Sequence, residues 1–252
     1  MPLVDTHAHI HDPQYGFDIP AVLTAAKAAS VERIICIGTD VEDSGRAIDF
    51  ATIHDECYAS VGLHPHEAKL GHQAYRKLSK LVVRPKVVAV GECGLDYFYT
   101  RSPAKDQQAA LRFQIELALS HHKPLVFHVR EAFSDFFKIL KPYPKVKGVI
   151  HSFSSTVDIL NQALEHGLYV AFNGIMTFSK DEAQLAAAKA APIERMLLET
   201  DSPFLTPTPE RGKINQPANV KLVADFLAKL RGERLEKLAE VTTANTKRLF
   251  NL

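Results

Sequence analysis

Eight short apolar runs rich in β-branched residues recur along the chain, separated by segments of helical period, and this alternation limits the fold more than any other feature. The runs are LVDTHAHI from Leu3, RIICIGT from Arg33, CYASVGLH from Cys57, VVAVGECGLD from Val87, PLVFHVR from Pro124, GVIHSF from Gly148, LYVAFNG from Leu168 and MLLETDSP from Met196. The clearest helix between them spans about Pro103 to His122, where Leu111, Ile115, Ala118 and Leu119 share a face and proline suits the first turn. Short buried strands joined through helices make a parallel sheet, and eight such units close into an α/β fold of the (β/α)8 TIM-barrel class. A last helical stretch, Glu233 to Phe250, offers Leu235, Leu238, Val241 and Leu249 for packing over it. The 252 residues are the usual length of one such domain, and no linker or composition break divides residues 1–252.

Composition removes several function classes. No run approaches the ~20 apolar residues of a membrane span, and the amino terminus, MPLVDTHAHIHD, turns polar too soon for a signal peptide. A cytoplasmic protein with no membrane association is expected, and nothing in the sequence calls for an obligate protein partner. Cys36, Cys57 and Cys93 are far apart in apolar runs and read as small buried hydrophobes of a reducing compartment. A net charge of +1 gives no overall field for a polyanion, so any such binding has to be local. The oddity is 12 histidines, the commonest metal-ligand residue.

Period-two alternation decides which residues share a strand face. It groups Asp5, His7 and His9; Val88, Val90 and Glu92; Val126, His128 and Arg130; Val149, His151 and Phe153; and Leu197, Glu199 and Asp201. Each group carries a polar residue near the carboxyl end of its run, the end at which barrels of this class build their active face. Histidines and carboxylates packed together there without partners would cost several kcal/mol, by order of magnitude, and coordination removes that cost. His7, His9, Glu92, His128, His151 and Asp201 are therefore the expected metal ligands. Arg211, Lys213 and Asn215 follow the eighth run, a position that barrels of this class use for phosphate, and Arg130 extends that cationic side. Asp5 and Glu199 lie one layer below the ligands and are expected to orient them. Tyr97, Phe98 and Tyr99 either stack on bases or pack on the barrel top.

DTHAHIH at 5–11, GLHPHEA at 62–68, GECGLDY at 91–97, the helix from Gln107 to Ala118 followed by PLVFHVR, HSFSS at 151–155, ETDSPFL at 199–205 and RGKINQP at 211–217 together resemble the TatD-type metal-dependent deoxyribonucleases of the amidohydrolase-like superfamily. The matches keep their order from end to end of the chain. The resemblance implies that His7 and His9 bind one metal with Asp201, that His128 and His151 bind a second, and that Glu92 bridges the two. It further implies a proton-transfer role for Asp201 beside its role as ligand, a contact of His64 with the substrate phosphate or with the ligands, and a similar but weaker case for His66. Two divalent ions are implied; mixed nitrogen and oxygen ligands suit Zn2+ or Mn2+, with Mg2+ less natural by ligand type. Such a pair lowers the pKa of a shared water and supports in-line hydrolysis.

The expected activity is hydrolysis of phosphodiesters in DNA, 3′ to 5′ from single-stranded ends, with Glu92 and Asp201 carrying the chemistry. An amidohydrolase that cuts a C–N or ester bond with the same metals is the alternative, and a binding protein on an inactive barrel is a third. The RGK loop and Arg130 favour a phosphate over a neutral amide, and six intact ligand positions argue against decay.

Overall fold

Every one of the eight runs overlaps a strand in the computed structural model, which describes residues 1–252: β1 Leu3–Ala8, β2 Val31–Ile37, which begins two residues before its run, β3 Cys57–Val61, β4 Val87–Asp96, β5 Leu125–Arg130, β6 Gly148–Ile150, β7 Tyr169–Phe172 and β8 Met196–Leu198. The strands lie in one sheet in chain order, with β1–β2, β3–β4, β4–β5, β5–β6 and β7–β8 paired parallel. An isolated bridge between Ala8 and Ser202 links the segments of the first and last strands. This is the (β/α)8 barrel arrangement. Helices α1 Ile19–Ala28, α2 Val41–Ile53, α3 Gly71–Leu81, α4 Ala104–Ser120, α5 Phe133–Leu140, α6 Val157–Glu165, α7 Glu182–Ala190, α8 Val220–Arg231 and α9 Leu235–Phe250 alternate with them. None is long and apolar enough to cross a membrane.

The chain packs as two compact halves, Met1–Cys36 with Ser152–Leu164 and Tyr169–Leu252, and Ile37–His151 with Glu165–Leu168. In the first half, α9 covers β1 and β8; of its expected packing positions Leu238 and Leu249 are buried, together with Phe250, while Leu235 and Val241 are half-buried. Polar groups fix its seating: Asn245 Nδ2 donates to the carbonyls of Ile193 and Met196 at 2.8 and 3.0 Å, and Thr243 Oγ1 donates to Pro2 O at 3.0 Å. Beneath the site, the buried Asp5 carboxylate accepts from the Thr200 N–H at 2.9 Å and from the Thr200 hydroxyl, tying β1 to the segment after β8.

In the second half, α4 packs on β4 and carries two buried glutamines two turns apart. Gln114 accepts from Leu63 N–H at 2.8 Å and donates to Leu63 O at 3.0 Å, just before His64. Gln107 accepts from Asp96 N–H at 2.8 Å and donates to Asp96 O at 3.0 Å and Ser102 O at 2.8 Å. Each amide thus clamps both main-chain groups of one strand-end residue. Truncating either leaves buried donors and acceptors unmatched, at about 1–3 kcal/mol each.

Three strands end earlier than their alternation predicts: β1 stops at Ala8, one residue before His9. β6 stops at Ile150 and β8 at Leu198, so His151 and Asp201 lie beyond the strands. The backbone turns left-handed at Ser152 (φ 49°) and Asp201 (φ 58°), which breaks the pleat that period two assumes.

Candidate metal centre

The first half gathers His7, His9 and Asp201. His7 Nε2 and His9 Nε2 face each other at 3.2 Å, and each lies 3.5 Å from Asp201 Oδ1. Main-chain bonds set this triangle: Asp201 N–H donates to His7 O at 2.8 Å, and His9 N–H donates to Ser202 O at 2.8 Å. Ligand atoms about 2.1 Å from a shared cation stand roughly 3.0 Å apart in an octahedron and roughly 3.4 Å apart in a tetrahedron. The triangle has the spacing of a coordination face.

A second triangle forms in the other half. Glu92 Oε1 lies 3.0 Å from His128 Nδ1 and 2.9 Å from His151 Nε2, and the two imidazole nitrogens are 3.2 Å apart. His128 Nε2 is 3.1 Å from Asp96 Oδ2; with its proton on Nε2 the ring would turn its Nδ1 lone pair to a cation held between it, Glu92 and His151. A ligating imidazole that gives its other N–H to a carboxylate is the usual support of a metal-bound histidine. Burial alone would lower the His128 pKa, but hydrogen bonds to Asp96 and Glu92 outweigh it and raise it, a field that favours any cation placed there. The donor sets of both triangles therefore fit divalent ions.

Close strand approach makes the second triangle possible. A Cβ on Gly94, which has φ +150°, would stand 1.8 Å from His128 O, so only glycine lets β4 lie against β5 at this level.

Asp96 and His66 complete the setting of the second triangle. Burial raises the Asp96 pKa, and hydrogen bonds from His128, the Tyr99 N–H and His66 reverse that and hold its carboxyl far below the usual carboxylate range. His66 Nε2 meets the same Oδ2 at 3.0 Å. His64 Nδ1 accepts from the His66 N–H at 3.1 Å, leaving its proton on Nε2, 3.5 Å from Glu92 Oε1. Burial pushes the His64 pKa well down, which keeps this imidazole neutral. Asp96 and the two glutamines support this arrangement, and the sequence reading did not single them out. Continuing the alternation from Glu92 through Gly94 reaches Asp96, and that signal was available.

Of the remaining expected residues, Arg130 is exposed, with its guanidinium carbon 4.0 Å from the Phe98 ring centre and 4.8 Å from that of Tyr99. Arg211 lies over Phe178 at 3.9 Å and donates to Thr206 O at 2.8 Å, while the exposed Lys213 pairs with Glu210. Asn215 departs from expectation. It is fully buried, and its amide donates to Thr200 O at 2.9 Å and Phe204 O at 2.6 Å, so it shapes the loop rather than offering donors to an anion. Glu199 accepts from the Ser152 N–H at 2.6 Å and from Asn173 Nδ2 at 3.1 Å, bracing the segment that follows β6.

A family model described as TatD related DNase matches residues 4–251. An uncharacterized metal-dependent hydrolase of Bacillus subtilis, YabD, is 38% identical over 99% of both chains. The 3′-5′ ssDNA/RNA exonuclease TatD of Edwardsiella piscicida is 34% identical, over 99% of this chain and 100% of its own. The crystal structure of the TatD homologue YjjV from Escherichia coli superposes with a TM-score of 0.93 at 30% identity, covering 99% of this chain and 98% of that one. The chain belongs to the TatD-related DNase family of metal-dependent hydrolases.

Proposed function

We propose that the chain hydrolyses phosphodiesters of DNA, removing nucleotides 3′ to 5′ from single-stranded ends. The observation that carries this reading is the pair of donor triangles, His7–His9–Asp201 and Glu92–His128–His151, each with ligand-to-ligand spacings of a coordination face. His7, His9 and Asp201 would hold one divalent ion and Glu92, His128 and His151 another, each Zn2+, Mn2+ or Mg2+. When bound, such ions supply an activated water at neutral pH and offset the charge that builds on the phosphoryl oxygens.

The chain's own groups do the rest. Asp201, whose side chain is 14% exposed, accepts the proton of the attacking water on a carboxylate oxygen. Neutral His64 donates from Nε2 to a phosphoryl oxygen, and Asp96 keeps the His128 ring turned. Arg130, Arg211 and Lys213 are the cationic contacts to the phosphates. The name of the Edwardsiella relative, with its single-stranded DNA and RNA, supports the choice of substrate.

The test strips the metals, restores Mn2+, Zn2+ or Mg2+ one at a time, and follows end-labelled single strands, blunt duplexes and a model amide. Stepwise loss of nucleotides from the 3′ end of the single strand is expected with at least one metal. Faster cleavage of the amide, or of an intact circular duplex, overturns the reading. The Arg211→Ala/Lys213→Ala variant should raise KM for strands of any sequence and flatten its salt dependence, by a slope of roughly 0.7 per lost phosphate contact.

A further inference from the structure

The loop that leaves β4 presents two large aromatic side chains to solvent beside the second triangle. Phe98 and Tyr99 are each 49% exposed, and their rings meet edge to face at 4.8 Å and 88°. Arg130 fills the corner between them, and Arg101 lies 5.6 Å from the Tyr99 ring centre. Exposed rings backed by guanidinium groups make a surface on which a flat π system can stack, with a cation at hand for the phosphate attached to it.

The rings are held, not loose. Asp96 Oδ1 accepts from the Phe98 N–H at 3.0 Å and the Tyr99 N–H at 2.9 Å. The Tyr97 N–H donates to Arg130 O at 3.0 Å, and Gln108 Nε2 donates to the Tyr97 hydroxyl at 2.8 Å. Asp96 is also the carboxylate that turns His128, so one residue fixes both the ring pair and a metal ligand. A surface set in advance binds with less ordering cost than one formed on contact.

We propose that Phe98, Tyr99 and Arg130 form the subsite for one unpaired nucleobase at the strand end, next to the phosphate that is cut, and that this subsite underlies a preference for single-stranded ends. The proposal rests on the phosphodiesterase reading and names its specificity element. A base in a duplex has its faces covered by its neighbours and its edge paired, so it reaches the rings only after leaving the stack. Stacking takes any base, which gives discrimination by strandedness without sequence preference.

The experiment compares oligonucleotides that end 3′ in a normal nucleotide or in an abasic one, each single-stranded and as a blunt duplex. The metal-loaded parent should favour the normal single strand over the abasic one by about 10- to 100-fold in kcat/KM, the range that base–aromatic stacking allows. The Phe98→Ala/Tyr99→Ala variant should bring that ratio close to one, mainly through KM, and shrink the preference for single strands. Phe98→Leu/Tyr99→Leu, which keeps apolar bulk but removes the π faces, should do the same if the alanine variant does not fold. A parent indifferent to the missing base, or a folded variant that keeps the parent's ratio, overturns the subsite. A parent that releases no nucleotide with any of the three metals removes the phosphodiesterase reading instead. Fluorescence anisotropy on the same strands then decides the subsite, and equal affinity for normal and abasic ends overturns it.

Discussion

The two ligand triangles share main-chain bonds but differ in the side-chain supports around them. Two main-chain bonds, Asp201 N–H to His7 O and His9 N–H to Ser202 O, join β1 and the residue after it to the segment that follows β8 and help to set His7, His9 and Asp201. Glu92 and His151 have main-chain bonds as well, to Gly38 O and Phe127 O at 3.0 Å each, and the second triangle adds side-chain supports: Asp96 turns His128, and Gln107 clamps Asp96 while Gln114 clamps Leu63. A ligand held by main chain tolerates changes in neighbouring side chains. A ligand held through a carboxylate loses ring orientation and basicity when that carboxylate is removed.

If the triangles act as one centre, losing a ligand from either should cost the same order of activity. Glu92→Ala and Asp201→Ala are each expected to lower turnover by at least ~100-fold at saturating metal, with the circular dichroism spectrum unchanged. Full activity in either folded variant removes its triangle from the chemistry. The difference in support predicts a smaller, one-sided effect. Asp96→Asn should weaken metal affinity or turnover by about 10- to 100-fold. Thr200→Val, which removes the side-chain bonds to Asp5 and from the Ser202 N–H beside the first triangle, should leave both within about threefold, because the bonds from Asp201 N–H to His7 O and from His9 N–H to Ser202 O survive. Titration calorimetry on the metal-free proteins separates the two, and equal losses would erase the distinction.

The same contrast explains what could be read from the sequence. All eight strands were legible, because β-branched runs between helical segments carry their own period. Their ends were not: the left-handed turns at Ser152 and Asp201 follow from loop paths that alternation does not encode. His7 and His9 announce themselves as a local pair. Asp96, Gln107 and Gln114 do not, since glutamines on a helix read as ordinary polar positions until the main chain they bind is known. Asn215 misled in the opposite direction, its polar amide being spent on the loop's own carbonyls.

The smallest expected effect concerns Asp5, the carboxylate beneath the first triangle. Burial raises its pKa from 3.8 to about 8, against the opposing hydrogen bonds from Thr200 and the His7 N–H, with Glu199 adding to the rise. Between those pH values the folded chain keeps a proton that the unfolded chain has lost, so the contribution to stability is fully present below about pH 3.8 and is lost as the pH rises toward 8. Asp5→Asn reproduces the shape of the protonated acid and has no proton to release. Its Oδ1 can still accept from Thr200 and His7 N–H, and its Nδ2 can donate to Thr200 Oγ1. In the metal-free protein, the Tm of the parent should therefore fall more steeply between pH 5 and 8 than that of the variant. Metal is left out because a cation at His7 and His9 would favour the ionised carboxylate and oppose the shift. Parallel Tm curves for parent and variant would mean that Asp5 is already ionised in the fold, and that the first triangle rests on a charge rather than on a neutral acid.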